Sequence, residues 1–424
     1  MGEVLLIALA AFIILNVPIA FSIGAAAMLA IWFQGRIPLF IVAQKMFTGM
    51  DSFPLLAIPL FMIAGILMER GGISSRLILL AKNCVGNIYG GLGIVTILAA
   101  LFFSAISGSA PATVVAIGSI MVPAMIKDGY DKKFAVALMA AAGTTGFVVP
   151  PSIPLVTYGI TMNASIGKLF AGGIVPGLLM SVSMMLVCYF ICKKRGYKSK
   201  NFEKHDPKKA WKEASWGIMM PFIILGGIYG GFFTPTESAA VACAYSLLIG
   251  LFVYKELTLK EAFKCFADAA VPAAMVMMII GCAASMNWIM TTEQIPVAIT
   301  RALTSLTSST WTMLLILNVI LLITGCLMEV NAAVILLGPI MLPILIQYGI
   351  DPVHFGVLMI VNLAIGLLTP PLGINLFVAN GLRRDVEFKD VVRLVMPFLA
   401  VLLIVLFAVT YIDQLVLFTA NLLG

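Results

Sequence analysis

Four short stretches of this sequence place polar and helix-breaking residues inside otherwise apolar runs. The first holds Ser104, Ser107, Gly108, Ser109, Pro111 and Thr113, and the second Thr144, Thr145, Gly146, Val148, Pro150, Pro151 and Ser152. The third holds Thr324, Gly325, Glu329 and Asn331, and the fourth Gly366, Thr369, Pro370, Pro371, Gly373 and Asn375. Proline removes a backbone donor and glycine weakens a helix, so carbonyl and N–H groups are left unpaired. At membrane depth each costs several kcal/mol unless something polar meets it. Freed carbonyls and neutral hydroxyls are ligands for a hard cation, and a helix N-terminus attracts an anion.

On this basis one cation site is expected from oxygens around Ser104, Ser107, Gly108, Thr145, Val148 and Pro150. A second is expected around Gly325, Thr369 and Pro371, and neither set contains a basic group that would repel a cation. An anionic substrate is expected between the two sets, at Ser107, Ser109, Thr113, Ser152, Glu329, Asn331 and Asn375. Acids in apolar surroundings are functional candidates by default, which singles out Glu237, Asp268 and Glu329. Glu329 is suited to carry a proton or balance a cation, whereas Glu237, after Thr234-Pro235-Thr236, equally suits a helix cap. The competing reading of all four stretches is close helix packing with proline kinks.

The elements that must position these groups are membrane helices. Hydrophobic residues make up 62% of the 424 positions and charged residues 11%, with a mean hydropathy of +1.10, which excludes a water-soluble globule. Apolar runs at 5–33, 169–192, 217–233, 238–254, 272–290 and 394–412 approach or exceed the roughly 20 residues of a spanning helix. The first is too long for a cleaved signal peptide and reads as a membrane helix kinked at Pro18. The net charge of +7 does not indicate nucleic acid, because nine of the 26 Lys and Arg fall within residues 193–212. That cluster marks a cytoplasmic loop. The seven cysteines form no CxxC pair, so Cys188 and Cys192 read as packing residues. Gly226, Gly227, Gly230 and Gly231 read as a helix contact.

An internal repeat emerges at the spacing of 220 positions that separates Pro150 from Pro370. It pairs Gly118 with Gly338, Pro123 with Pro343, Gly129 with Gly349, Asp131 with Asp351 and Gly146 with Gly366. Loop charge alternates in sign between the copies. Lys127, Lys132 and Lys133 face an uncharged 347–353, Lys168 alone faces Arg383, Arg384 and Lys389, and the basic 193–212 loop faces an uncharged end at 421–424. Equivalent loops on opposite membrane sides are expected of inverted repeats.

The expected fold is therefore an all-α polytopic membrane protein of two inverted repeats with two re-entrant hairpins and two broken helices. Residues 1–192 form the first repeat, with a hairpin at about 92–126 and a broken helix at about 134–163. Residues 193–215 form the cytoplasmic loop. Residues 216–424 form the second repeat, with a hairpin at about 313–346, a broken helix at about 353–382 and a periplasmic C-terminus. The hairpins are read as re-entrant because two full crossings need roughly 40 residues.

With Thr234-Pro235-Thr236-Glu237, the 104–113 hairpin and the paired Val149-Pro150-Pro151-Ser152 and Thr369-Pro370-Pro371 breaks, the sequence resembles the DctM-like (SiaM-like) large subunit of tripartite ATP-independent periplasmic (TRAP) transporters over essentially its whole length. The resemblance implies an elevator mechanism in the bacterial inner membrane and sodium (Na+) as coupling ion. It also implies two partners, a four-helix small membrane subunit and a periplasmic substrate-binding protein. The small subunit is expected as a separate chain, since no extra helices for it are present. The implied substrate is an organic acid of the sialic acid or C4-dicarboxylate class. The alternative is a proton-coupled organic anion carrier of similar fold. An enzyme is disfavoured, with His205 and His354 the only histidines and neither HExxH nor GxSxG present. A primary pump lacks a phosphate loop, and a channel needs a continuous polar pore.

Overall fold

The computed structural model describes residues 1–85, 88–198 and 207–423, so His205, Gly424 and the 199–206 part of the 193–215 loop lie outside the described residues. The described chain is helical, with eight helices long and apolar enough to cross a membrane. Each forms where local chemistry favours it. Asp131, Ser152, Ser165, Thr234, Thr258, Glu329 and Asp351 cap helix N-termini through their side chains, and Pro154, Pro235 and Pro352 occupy first-turn positions where no N–H is missed.

At the centre lie two helices buried around their whole circumference, Lys132–Gly143 and Pro352–Gly366. A helix without a polar face belongs inside a larger assembly. Alanine fills the first, with Ala135, Ala137, Ala140, Ala141 and Ala142 inaccessible to solvent, which lets neighbouring backbones approach. Around them stand the segments that carry the four polar stretches. Gly91–Ser107 and Ala110–Lys127 meet at Gly108, and Thr310–Leu327 and Val330–Tyr348 meet at Met328 and Glu329. Lys132–Gly143 leads through the break at Thr144 to Ser152 into Ile153–Thr161, and Pro352–Gly366 leads through a like break into Ile374–Gly381. The Pro150-Pro151 and Pro370-Pro371 bonds are both cis. The limits of these second-half helices fall 220 residues beyond those of the first half, to within three residues.

A second layer of helices flanks this centre: Gly2–Ile14, Ile19–Gln34, Phe40–Met50, Ala57–Arg70, Pro207–Tyr229, Pro235–Leu248 and Leu259–Thr292. Residues 5–33 are not one kinked span. Asn16 takes a left-handed φ of 59° and Pro18 opens a new helix, so the run is two helices sharing a core with Cys282, Met286 and Ile289. An ion pair joins Arg70 to Asp268, and Arg76 pairs with Glu256 at 2.7 Å while stacking on Tyr254 at 3.8 Å.

Two further expectations change in detail. The hairpins lie within three residues of their expected limits, but three of their four arms reach spanning length, so length does not by itself make them re-entrant. Gly226 to Gly231 do not form a helix contact within the described chain. A methyl at Gly227 or Gly230 would strike Phe233 or Phe232 of the same turn, while Gly226 and Gly231 face open space.

Candidate functional site

In the first half, helix Gly91–Ser107 brings Ser104 and helix Lys132–Gly143 brings Thr145, just beyond its end, to the same buried point. Their hydroxyl oxygens are 3.0 Å apart. A hydroxyl has one proton. Ser104 donates to the Ala100 carbonyl at 2.6 Å and Thr145 to the Ala142 carbonyl at 2.8 Å. Each hydroxyl thus has a carbonyl as well as the other hydroxyl to donate to, and when both protons go to the carbonyls the two oxygens together offer lone pairs to a cation. One turn on, Thr113 donates to the Ser109 carbonyl at 2.8 Å and its oxygen lies 3.2 Å from the Ser107 hydroxyl, which can donate to it.

The backbone is drawn equally tight. Gly108 ends the first arm with φ of 58°, and a methyl group there would stand 2.9 Å from the Pro151 carbonyl oxygen. Both observations require glycine. A methyl at Gly146 would lie 2.6 Å from the Ser109 carbonyl oxygen, so the hairpin tip rests on the break of the neighbouring helix. Ser152 is committed to capping: it donates to the Phe147 carbonyl and accepts from the Leu155 N–H at 3.3 Å. Val148 and Pro150 are buried in the same break, with the Val148 carbonyl facing Gly173.

In the second half the seam between hairpin and broken helix is again glycine on glycine. A methyl at Gly366 would stand 2.6 Å from the Gly325 carbonyl carbon, and one at Gly325 would stand 2.9 Å from the Leu363 backbone. Thr369 donates to the Ile365 carbonyl at 3.0 Å, and the Cys326 thiol, 3.1 Å from the Thr369 carbonyl, donates to it. Pro371 is exposed next to them. Cysteine as a tip residue was not anticipated, because its sequence neighbours give it no motif.

Glu329 takes the N-cap of its helix, accepting from the Ala332 N–H at 3.1 Å and from the Asn331 amide at 2.7 Å. Asn331 in turn accepts from Thr157 at 3.1 Å. The second hairpin tip is thereby tied to the first broken helix, a link missed because Thr157 stands in an unbroken apolar stretch. Asn375 differs from every other candidate. It is fully buried at the start of Ile374–Gly381, and neither its amide nitrogen nor its amide oxygen has a hydrogen-bond partner. A buried carboxamide left open at both ends is costly unless a ligand fills it.

The remaining acids are engaged elsewhere. Glu237 completes a capping box, its carboxylate accepting from the Thr234 N–H and hydroxyl at 2.8 Å, and Asp268 pairs with Arg70. Among the described residues no group of three His, Cys, Asp or Glu could hold a metal ion. Oxygen ligands from hydroxyls and carbonyls fit a hard monovalent cation, and the donors at both seams are of that kind.

Residues 127–133 and 383–390 share one end of the central unit, where Lys132 pairs with Asp385 at 2.8 Å and Lys133 with Asp390 at 2.7 Å. Arg383 and Lys132 together hold the Asp385 carboxyl well below the usual carboxylate range. The opposite end joins Tyr158 to the Pro352 carbonyl at 2.8 Å, His354 to the Val409 carbonyl at 2.8 Å, and Trp311 to Tyr411 in a stack.

Among solved structures, the fold resembles the crystal structure of the YdaH transporter of Alcanivorax borkumensis, with a TM-score of 0.63 over 87% of this chain and 86% of that one, at 16% identity. The architecture is thus an all-helical polytopic membrane fold shared with that protein. The chain belongs to the tripartite ATP-independent periplasmic transporter family, as its DctM component, whose model matches residues 6–415. It is 47% identical over 97% of its length to the isethionate TRAP transporter permease protein DctMQ of Oleidesulfovibrio alaskensis, and spans 65% of that protein. It is 42% identical to the C4-dicarboxylate TRAP transporter large permease protein DctM of Pseudomonas aeruginosa, covering 90% of each chain. It is also 40% identical to the sialic acid TRAP transporter large permease protein SiaM of Vibrio cholerae, over 94% of this chain and 93% of that one. It is a transporter component and not an enzyme.

Proposed function

We propose that this chain is the carrier subunit of a secondary importer in the bacterial inner membrane, driven by sodium and taking up a small organic acid. A periplasmic binding protein delivers the acid, and a small four-helix subunit completes the membrane part. Relatives named for isethionate, C4-dicarboxylates and sialic acid support the substrate class. The observation that carries the coupling ion is the buried Ser104–Thr145 pair, two hydroxyl oxygens 3.0 Å apart that each also reach a helix carbonyl. One sodium lies there, with the Gly108 tip closing over it, and a second lies at the Gly325–Gly366 seam beside Thr369. Asn375 and Thr113 face the substrate anion, and the tip hydroxyl of Ser107 stands between that anion and the first sodium.

The two halves are read as inverted repeats. The coincidence of helix limits at a constant spacing supports a duplication, and the loop charges support inversion. The end carrying Lys132, Lys133, Arg383 and Arg393 is cytoplasmic by the positive-inside rule, and the end carrying Asp351 and Asp413 is periplasmic. The two hairpins and two broken helices move as one body against the flanking helices, an elevator. Glu237 is held as a carboxylate by its capping bonds to Thr234, which makes it unsuited as a proton site.

Reconstituting the chain with its small subunit and adding the binding protein tests the assignment. Saturable uptake only when the binding protein is present is expected. High-affinity uptake without it contradicts the tripartite reading.

A further inference from the structure

A polar cluster lies deep in the second half, away from the hairpin tips. Asn362 is fully buried on Pro352–Gly366, Asn318 is 5% exposed on Thr310–Leu327, and Thr410 is 1% exposed on Phe388–Tyr411. Asn362 donates both its amide protons, one to the Asn318 backbone carbonyl at 3.0 Å and one to the Asn318 Oδ1 at 2.7 Å. Asn318 donates to Thr410 at 3.0 Å, and Thr410 donates to the Leu406 carbonyl at 2.7 Å.

Every proton in this chain points from Asn362 toward Leu406, so the chain has a fixed polarity. The Asn362 Oδ1 is left at its negative end, buried and without a partner. Turning the amide over would set that oxygen against two other oxygens, so the orientation is dictated by its neighbours. An orphaned acceptor at this depth calls for a cation or a proton donor.

Its surroundings select the cation. Thr410 also lines a cavity of about 380 Å³ that contains Asp351 and Asp413 and has no Lys or Arg in its wall. Two carboxylates at the mouth of a low-dielectric cleft concentrate cations there. On the inner side, Asn318 and Gly325 are seven residues apart on one helix face, and Asn362 and Gly366 are four apart on another. The cluster therefore sits on the same helix–helix seam as the Gly325–Gly366 contact, about 6 Å from it along one helix and about 10 Å along the other. The positions 220 residues earlier are Leu98, Ala142 and Phe190, so the first half has no equivalent.

We propose that Asn362 Oδ1, the open acceptor at the head of the chain through Asn318 and Thr410, is a monovalent-cation station between the acid-lined cavity and the second ion site, giving that site a route of its own. This rests on the sodium-coupled reading above. The test uses the complete reconstituted transporter with its binding protein, and the purified membrane complex in detergent. The Asn318→Leu/Asn362→Leu double variant replaces both partners by apolar groups of similar shape, which leaves folding near neutral. It is expected to raise the sodium concentration for half-maximal uptake by about tenfold, the scale of losing a supporting ligand. It is also expected to lose a measurable part of the extra thermal stability that NaCl gives over choline chloride, the part due to this station. Asp413→Asn, which touches no buried group, is expected to raise the half-saturating concentration about twofold to threefold at low ionic strength, with the effect vanishing in ~1 M choline chloride.

If wild-type uptake ignores sodium while the double variant loses that part of the sodium-specific stabilisation, the coupled-transport reading fails and the station stands. If the double variant keeps the wild-type stabilisation, or keeps the wild-type sodium requirement for uptake, the cluster is a water-filled or purely structural network and the proposal is overturned.

Discussion

At the scale of single residues, the account turns on oxygens that are present for a cation and glycines that let backbones meet. Replacing Ser107 or Thr369 by Ala removes one neutral ligand and leaves the carbonyls in place. Half-maximal sodium should rise by about threefold to tenfold, with the same melting temperature in detergent without sodium, as measured by sodium-titrated uptake and thermal unfolding. Wild-type sodium dependence in both variants would remove these hydroxyls from the ion sites. Gly108→Leu and Gly325→Leu should abolish coupled uptake, since even a methyl at either position approaches a neighbouring backbone atom to 2.9 Å. Transport by either variant would show that the close approach is packing alone.

Much at this scale was legible in the sequence because Pro and Gly act through the backbone, where a residue type fixes the geometry. Gly108, Gly325 and Gly366 stand at the contacts their types suggested. Hydroxyls and amides are less legible, because their role depends on what faces them. Ser152 serves as a cap, Asn331 is held by Glu329 and Thr157, and Asn375 is left open at both ends of its amide. Asn318, Asn362 and Thr410 sit singly in apolar helices, and only the packing of three separate helices makes them one cluster.

At the scale of elements, the breaks are defined by caps as much as by prolines. Ser152 begins the second part of the first broken helix, so Ser152→Ala should destabilise the assembly by about 0.5–2 kcal/mol and lower the unfolding temperature. Its sodium affinity should stay within about twofold of wild type if the hydroxyl only caps, against the tenfold expected of a lost supporting ligand. An unchanged melting temperature with a weakened sodium response would reassign Ser152 to the site. The helix limits were readable to within a few residues wherever Gly, Pro or an N-cap marked them. The opening run was not, since a 29-residue apolar stretch reads as one helix until the left-handed turn at Asn16 divides it.

At the scale of the whole molecule, the two ends differ in charge, and orientation follows from that difference. Lys132–Asp385 and Lys133–Asp390 lock the two halves together at the basic end, while Asp351 and Asp413 dominate the other. A Gly349→Cys variant faces open space, so substitution there disturbs no packing, although its left-handed φ of 63° adds local strain. It should react with an impermeant thiol reagent from the periplasmic side of intact cells and not from the outside of inverted vesicles. Reaction in inverted vesicles would contradict the inverted arrangement.

The central claim is that sodium held by neutral oxygens drives an organic acid through this chain. It is tested most directly by uptake into proteoliposomes containing the complete membrane complex and supplied with its binding protein, with sodium and proton gradients imposed separately. Concentrative uptake under an inward sodium gradient at equal pH on both sides, and none under a proton gradient in sodium-free choline buffer, is the predicted result. Uptake driven by the proton gradient without sodium would contradict it.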